Sequence, residues 1–93
     1  MSEQLATASI AAENSFSAPV PLRGPFNFGL SGTWVATVVV QRSYDGGVSW
    51  ANVAEFTANG EYVGAEVEAE VRYRFGVQTG GYTSGTVVGR LSQ

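Results

Sequence analysis

Residues 43–50 read "SYDGGVSW", with Ser43, Asp45, Gly47 and Trp50 at the spacing S-x-D-x-G-x-x-W. Asp45 is the sole aspartate, and histidine, cysteine and lysine are absent. Those absences exclude a Ser-His-Asp system, a thiol nucleophile, a Schiff-base lysine and a histidine-based metal site. Paired carboxylates, as in glycoside hydrolysis, are what remains for acid–base chemistry. Glu66, Glu68 and Glu70 alternate and on a strand would share one face. No sugar-stacking aromatics flank them, so a solvated acidic edge that discourages aggregation is the plainer reading. They lack the spacing of an EF-hand calcium loop. Arg72 and Arg74 keep the same parity, and cross-strand ion pairs account for them without a ligand. "TGGYTSG" at 79–85 is glycine-rich, but it has no P-loop lysine and precedes a strand. No catalytic residue, cofactor or metal is expected.

The turn itself has a full structural explanation. Ser43 and Asp45 side chains can serve backbone groups that a ladder leaves unpaired. Gly46 and Gly47 allow the positive φ of a tight hairpin, and Trp50 can fold over the turn to close the core. The pattern resembles the Asp-box, best known from sialidases and related propellers, where it sits on blade hairpins away from the active site. That resemblance covers eight of 93 residues. A propeller needs at least about four blades of four strands, and this chain can supply about two. The expected role is structural.

The elements that must position these residues are strands. Twelve glycines, eleven aromatics and many valines and threonines favour strands and turns over helices. Residues 1–13 read as an N-terminal arm: Ala6, Ala8, Ile10 and Ala12 alternate weakly, fit for a sheet edge or a neighbour's surface. Pro19, Pro21 and Pro25 cannot donate to a ladder and mark edges or turns. Phe26, Phe28 and Leu30 give a strand with one buried face, and "SGTW" is expected to turn the chain into the next. In "WVATVVVQRS" apolar residues occupy both parities, so both faces are expected to be covered. Val48, Trp50 and Phe56 are core candidates of the following strand, whose phase slips midway. Over 63–77 the odd positions are apolar, with a tight connection expected near 66–70, and "TGGYTSG" is expected to break the chain once more. About seven short strands over residues 14–93 predict one domain, an all-β, small antiparallel β-sandwich with an extended N-terminal arm. "VRYRFGV" resembles the penultimate strand of fibronectin-III-like sandwiches, whose tyrosine packs inward, so the expected type is Ig/fibronectin-III-like.

Composition limits the partners. Eight acids against five arginines give a net charge of −3, and the arginines are scattered, so nucleic-acid binding is not expected. The longest apolar run, 34–40, is far short of the about 20 residues a spanning helix needs. The N-terminus lacks the basic and apolar segments of a secretory signal, which leads to the expectation of a soluble chain made in the cytoplasm. Without disulfides, stability must come from packing or a partner subunit.

"FNFGLSGTWVATVVVQRSYDGGVSW" and "YRFGVQTGGYTSGTVVGRLSQ", about two-thirds of the chain, resemble short virion structural proteins of tailed bacteriophages in strand and hairpin pattern. The resemblance implies virion attachment and brings no catalytic residues. It implies a non-enzymatic head-decoration or cementing protein, made in the host cytoplasm and forming a homo-oligomer on capsid or other virion proteins. A head–tail or tail-accessory position is a close variant. The expected interface combines Leu5 and Ile10 of the arm, the edge marked by Pro19, Pro21 and Pro25, and Val35 and Val39 of the two-sided strand. A carbohydrate-binding module for host-surface glycans is the alternative, and it requires Trp50, Tyr44 or Tyr82 exposed in a coplanar group. A glycosidase using glutamates within 55–70 requires two carboxylates facing across a cleft.

Overall fold

Alternating Val, Thr and aromatic residues build strands throughout, and no helix forms among residues 4–93, which the computed structural model describes. The strands are β1 (Leu5–Ile10), β2 (Ser15–Phe16), β3 (Val20–Pro21), β4 (Gly24–Ser43), β5 (Ala51–Phe56), β6 (Gly60–Glu66) and β7 (Arg72–Ser92). All pairings are antiparallel, as expected for a small sandwich of about seven strands.

Two strands carry the architecture. β4 has 20 residues and β7 has 21, and they pair from Asn27↔Ser92 to Ser43↔Arg72. At about 3.3 Å per residue a straight β4 would be about 66 Å long. The longest dimension of the molecule is 36 Å, so both strands fold over on themselves. The bend lies where the ladder slips, around Val35, Ala36 and Val38. Gly85, opposite Trp34, has φ 85°, and a Cβ there would meet the backbone of Thr33 and Trp34. "SGTW" and "TGGYTSG" are therefore corners within continuous strands, where breaks were expected. Glycine and bulges let a strand turn from one layer into the other without losing its pairing.

The bend makes two layers. The first contains β1, the later half of β7, the earlier half of β4, and β6. The second contains β2 and β3, the earlier half of β7, the later half of β4, and β5. Phe28 pairs with Leu91 in the first layer and Phe75 pairs with Val40 in the second, yet their rings lie 5.3 Å apart. The core closes there, with Leu22, Leu30, Val38, Val77, Val87 and Leu91 around them.

Several expectations hold in detail. Phe28 and Leu30 are buried, and Val38, Val39 and Val40 are all nearly inaccessible, so that strand is covered on both faces. Val71, Tyr73, Phe75 and Val77 all point inward, and β6 and β7 are joined by a tight connection over 67–71. The phase slip after Trp50 is a β-bulge: Val40 pairs with Ala54 but Gln41 pairs with Asn52, leaving Val53 out of register. Of the arm, residues 1–3 lie outside the described residues. Residues 5–10 pair with β7 along their own sheet edge, and Ala6 and Ile10 enter the core.

Others are corrected. In β6 the even residues Tyr62, Gly64 and Glu66 turn inward, because Phe28↔Tyr62 and Phe26↔Gly64 are the register pairs on the core face. Val63 is consequently exposed, at 84%, and Val67, at 91%, lies in the connection beyond β6. Val48 is likewise exposed, since it belongs to the turn rather than to β5.

Candidate functional site

The 43–50 turn is a closed hydrogen-bond unit. Asp45 Oδ1 accepts from the Ser43 hydroxyl (2.7 Å), the Ser49 N–H (3.0 Å) and the Val48 N–H (3.1 Å), while Oδ2 accepts from the Ser49 hydroxyl. Ser43 Oγ in turn accepts from the Gly47 N–H at 2.9 Å. Gly46 and Gly47 take φ 76° and 100°, and the Trp50 indole N–H donates to the Gly47 carbonyl. The Ser49 and Ser43 bonds favour the charged form and hold the Asp45 carboxyl far below its ordinary value. Ser43, Asp45, Gly47 and Trp50 are thus brought together as the spacing implied, with each group occupied by the turn itself.

The glutamates separate. Glu66 is buried, with Oε1 2.6 Å from Arg42 Nη2 and accepting from the Tyr73 hydroxyl at 2.7 Å, while Oε2 accepts from the Glu68 N–H. Burial raises the Glu66 pKa, but the Tyr73 and Glu68 hydrogen bonds and the Arg42 charge outweigh it and leave it below 4.5. Burial and the Glu66 carboxylate push Tyr73 upward from 10.0. Arg42 lies 4.7 Å from the Tyr44 ring, and its Nε has no hydrogen-bond partner among the described residues. The reading of 66, 68 and 70 as one solvated face is corrected: Glu66 ends β6 pointing into the molecule, and Glu68 and Glu70 are exposed in the turn beyond it. Among the described residues no group of three or more acidic, histidine or cysteine side chains is placed to hold a metal.

Arg74 is also elsewhere than expected. Its guanidinium carbon lies 4.1 Å from the Phe16 ring and 4.3 Å from the Trp50 ring, clamped between aromatics from β2 and the turn. Its Nε donates to Gln41 Oε1 (2.8 Å), Gln41 Nε2 donates to Asn52 Oδ1 (2.8 Å), and Asn52 and Gln78 amides face each other at 3.3 Å. Burial lowers the Arg74 pKa. The clamp was not visible in sequence, because its parts come from four strands, β2, β4, β5 and β7, and a turn. The β-pairings Gln41↔Arg74 and Gln41↔Asn52 assemble it across the outer face of the second layer. Trp50 stacks on Arg74, and no aromatic contact among the described residues joins it to Tyr44 or Tyr82, whose hydroxyl donates to the Gly85 carbonyl.

The expected docking residues divide. Leu5 (55%) and Val35 (58%) are exposed on the outer face of the first layer, as is Pro25. Exposed Val63 and Val88 lie on that face too, in register with Asn27 and Ser31. Pro19 and Pro21 are exposed at the other layer, beside and within β3. Ile10 and Val39 are corrected: they are 3% and 1% exposed. Ile10 faces the core, and Val39 sits under the outer face of the second layer, between Gly76 and Glu55.

No family model, curated protein or solved structure matches this chain.

Proposed function

We propose that the chain is a non-enzymatic virion structural protein of a tailed bacteriophage, a head-decoration or cementing protein that docks through the outer face of its first layer. The observation that carries this reading is that face. Leu5, Val35, Val63 and Val88 are exposed on it, around small side chains such as Thr7, Ser31 and Thr86. The face mixes these exposed apolar and small residues with Arg90 and Glu61, which flank Gly29 at its middle, a composition that suits docking on a large partner better than it suits chemistry. The carboxylates support the non-enzymatic part, since Asp45 and Glu66 are both consumed by internal bonds. Cosedimentation of the purified protein with heads of its phage tests the proposal. Saturable binding to heads is expected; binding to tails alone would favour the tail-accessory variant, and binding to neither would contradict both.

A glycan-binding reading is favoured by one feature, the amides of Gln41, Asn52 and Gln78 beside Trp50 and Phe16. It predicts signal on a glycan array that Trp50→Ala abolishes. The stacking of Trp50 on Arg74 weighs against it, because that ring face is already taken.

A further inference from the structure

Most of the sheet edges in this fold are guarded, and one is bare. β2 and β3 have two residues each, flanked or occupied by Pro19 and Pro21. β5 carries Glu55 and a bulge at Val53, and β6 carries Glu61 and Glu66. Short strands, prolines, charges and bulges are the ordinary means of keeping an edge from pairing. β1, "LATASI", is six residues long with no charge, no proline and an unbroken register against β7.

The free hydrogen-bonding groups of that edge can be assigned. Gln4 and Gln93 exchange both backbone bonds, N–H to carbonyl in each direction. Bonded pairs alternate along an antiparallel ladder, so Ala6, Ala8 and Ile10 bond β7, while the N–H and C=O groups of Leu5, Thr7 and Ser9 point away from the sheet. These residues are exposed, and no donor or acceptor among the described residues reaches their backbone.

We propose that β1 is a self-association edge, pairing antiparallel with β1 of a second copy about a two-fold axis at Thr7. The geometry selects this register. Opposed residues in an antiparallel pair point to the same side, so outward residues must meet outward residues. The bonding groups must come from 5, 7 and 9 on each copy. Both conditions are met when Thr7 faces Thr7 and Leu5 faces Ser9 of the second copy, which gives about six hydrogen bonds, two for each bonded pair. On the inner side, Ala6 then meets Ala8, small enough for the cores to abut. The strand is uncharged, so self-pairing sets no like charges opposite each other within it. The four-stranded first layers of two copies join into one continuous sheet, and the exposed Leu5 gains cover. This interface is independent of the virion reading, since it can form free in solution.

Two measurements on the full chain decide it. Sedimentation of the wild type is expected to give twice the 9.8 kDa chain mass, and Thr7→Pro is expected to give a monomer with an unchanged circular dichroism spectrum. The substitution spares the fold because the Thr7 N–H serves no internal bond and edge strands accept proline there. A monomeric wild type, or a Thr7→Pro dimer, overturns the proposal. The register is read by crosslinking, which has no background in a cysteine-free chain. Facing Cα atoms of a bonded pair lie about 5.5 Å apart, within disulfide reach. Thr7→Cys should oxidise to a covalent dimer, and Leu5→Cys should crosslink to Ser9→Cys but not to itself. Self-crosslinking of Leu5→Cys, or failure of Thr7→Cys to crosslink, contradicts the register.

Discussion

The outer faces of the two layers are built from the same pair of strands and behave oppositely. On the second layer Val39, Gln41 and Ser43 are buried, and Arg74 is held between Phe16 and Trp50 with an amide network around it. Its polar side chains find partners within the same chain, supplied by β2, the 43–50 turn and β5. On the first layer no segment among the described residues crosses the sheet, and Leu5, Val35, Val63 and Val88 are exposed. The turn and the short strands thus go to closing one face, and the other stays open. A domain of 93 residues with no disulfide has little stability to spare, which makes a face left open among the described residues informative.

Breaking the buried Glu66–Arg42 pair, which ties the two layers together, should have the largest effect on stability. Glu66→Ala leaves the Tyr73 hydroxyl and Arg42 without their acceptor, and a cost of about 3 kcal/mol is expected, at the low end for a broken buried pair because Arg42 retains contact with water. Chemical denaturation measures it. The pH dependence sharpens the same point. Asp45 and Glu66 both ionise below their unfolded values of 3.8 and 4.5, so their contribution is complete above about pH 5 and is lost as pH falls through and below those values. Tyr73 titrates above its unfolded 10.0, so its contribution is complete below that and is lost as pH rises further. Melting temperature against pH should show a plateau with both shoulders, and Glu66→Gln should shrink the acid one.

Opening the clamp should cost less. Arg74→Ala removes two cation–π contacts and is expected to destabilise by about 1–2 kcal/mol, read from the same denaturation curves. Asp45→Ala should lower the melting temperature by removing the acceptor of the turn. The smallest effect on folding belongs to the open face. Val63→Asp should stay within about 0.5 kcal/mol of the parent, since the side chain touches little.

Periodicity made much of the fold legible. The inward faces around Phe28, Val38–Val40 and Phe75 follow from alternation, and the slip after Trp50 marked the bulge. What alternation does not carry is where a strand ends. Gly32, Gly80 and Gly85 read as breaks, whereas in the fold they take positive φ and lie near the bend of strands that continue. Nor does it fix which parity of an apolar run faces inward: β6 takes its phase from Phe28↔Tyr62, a pairing across 34 positions of sequence. The turn was legible because its bonds are local, within residues 43–50. The Arg74 clamp was not, because it depends on strands meeting side by side, nor was the Glu66–Arg42 pair, which spans the two layers.

Under the proposed virion function, the contrast between the faces is tested most directly by binding to phage heads with one charge-bearing variant in each face, at matched stability. Val88→Asp on the first layer is expected to reduce attachment at least tenfold, and Asn52→Asp on the second is expected to leave it unchanged. Loss of attachment with Asn52→Asp and full attachment with Val88→Asp would place docking on the closed face and contradict docking through the first layer.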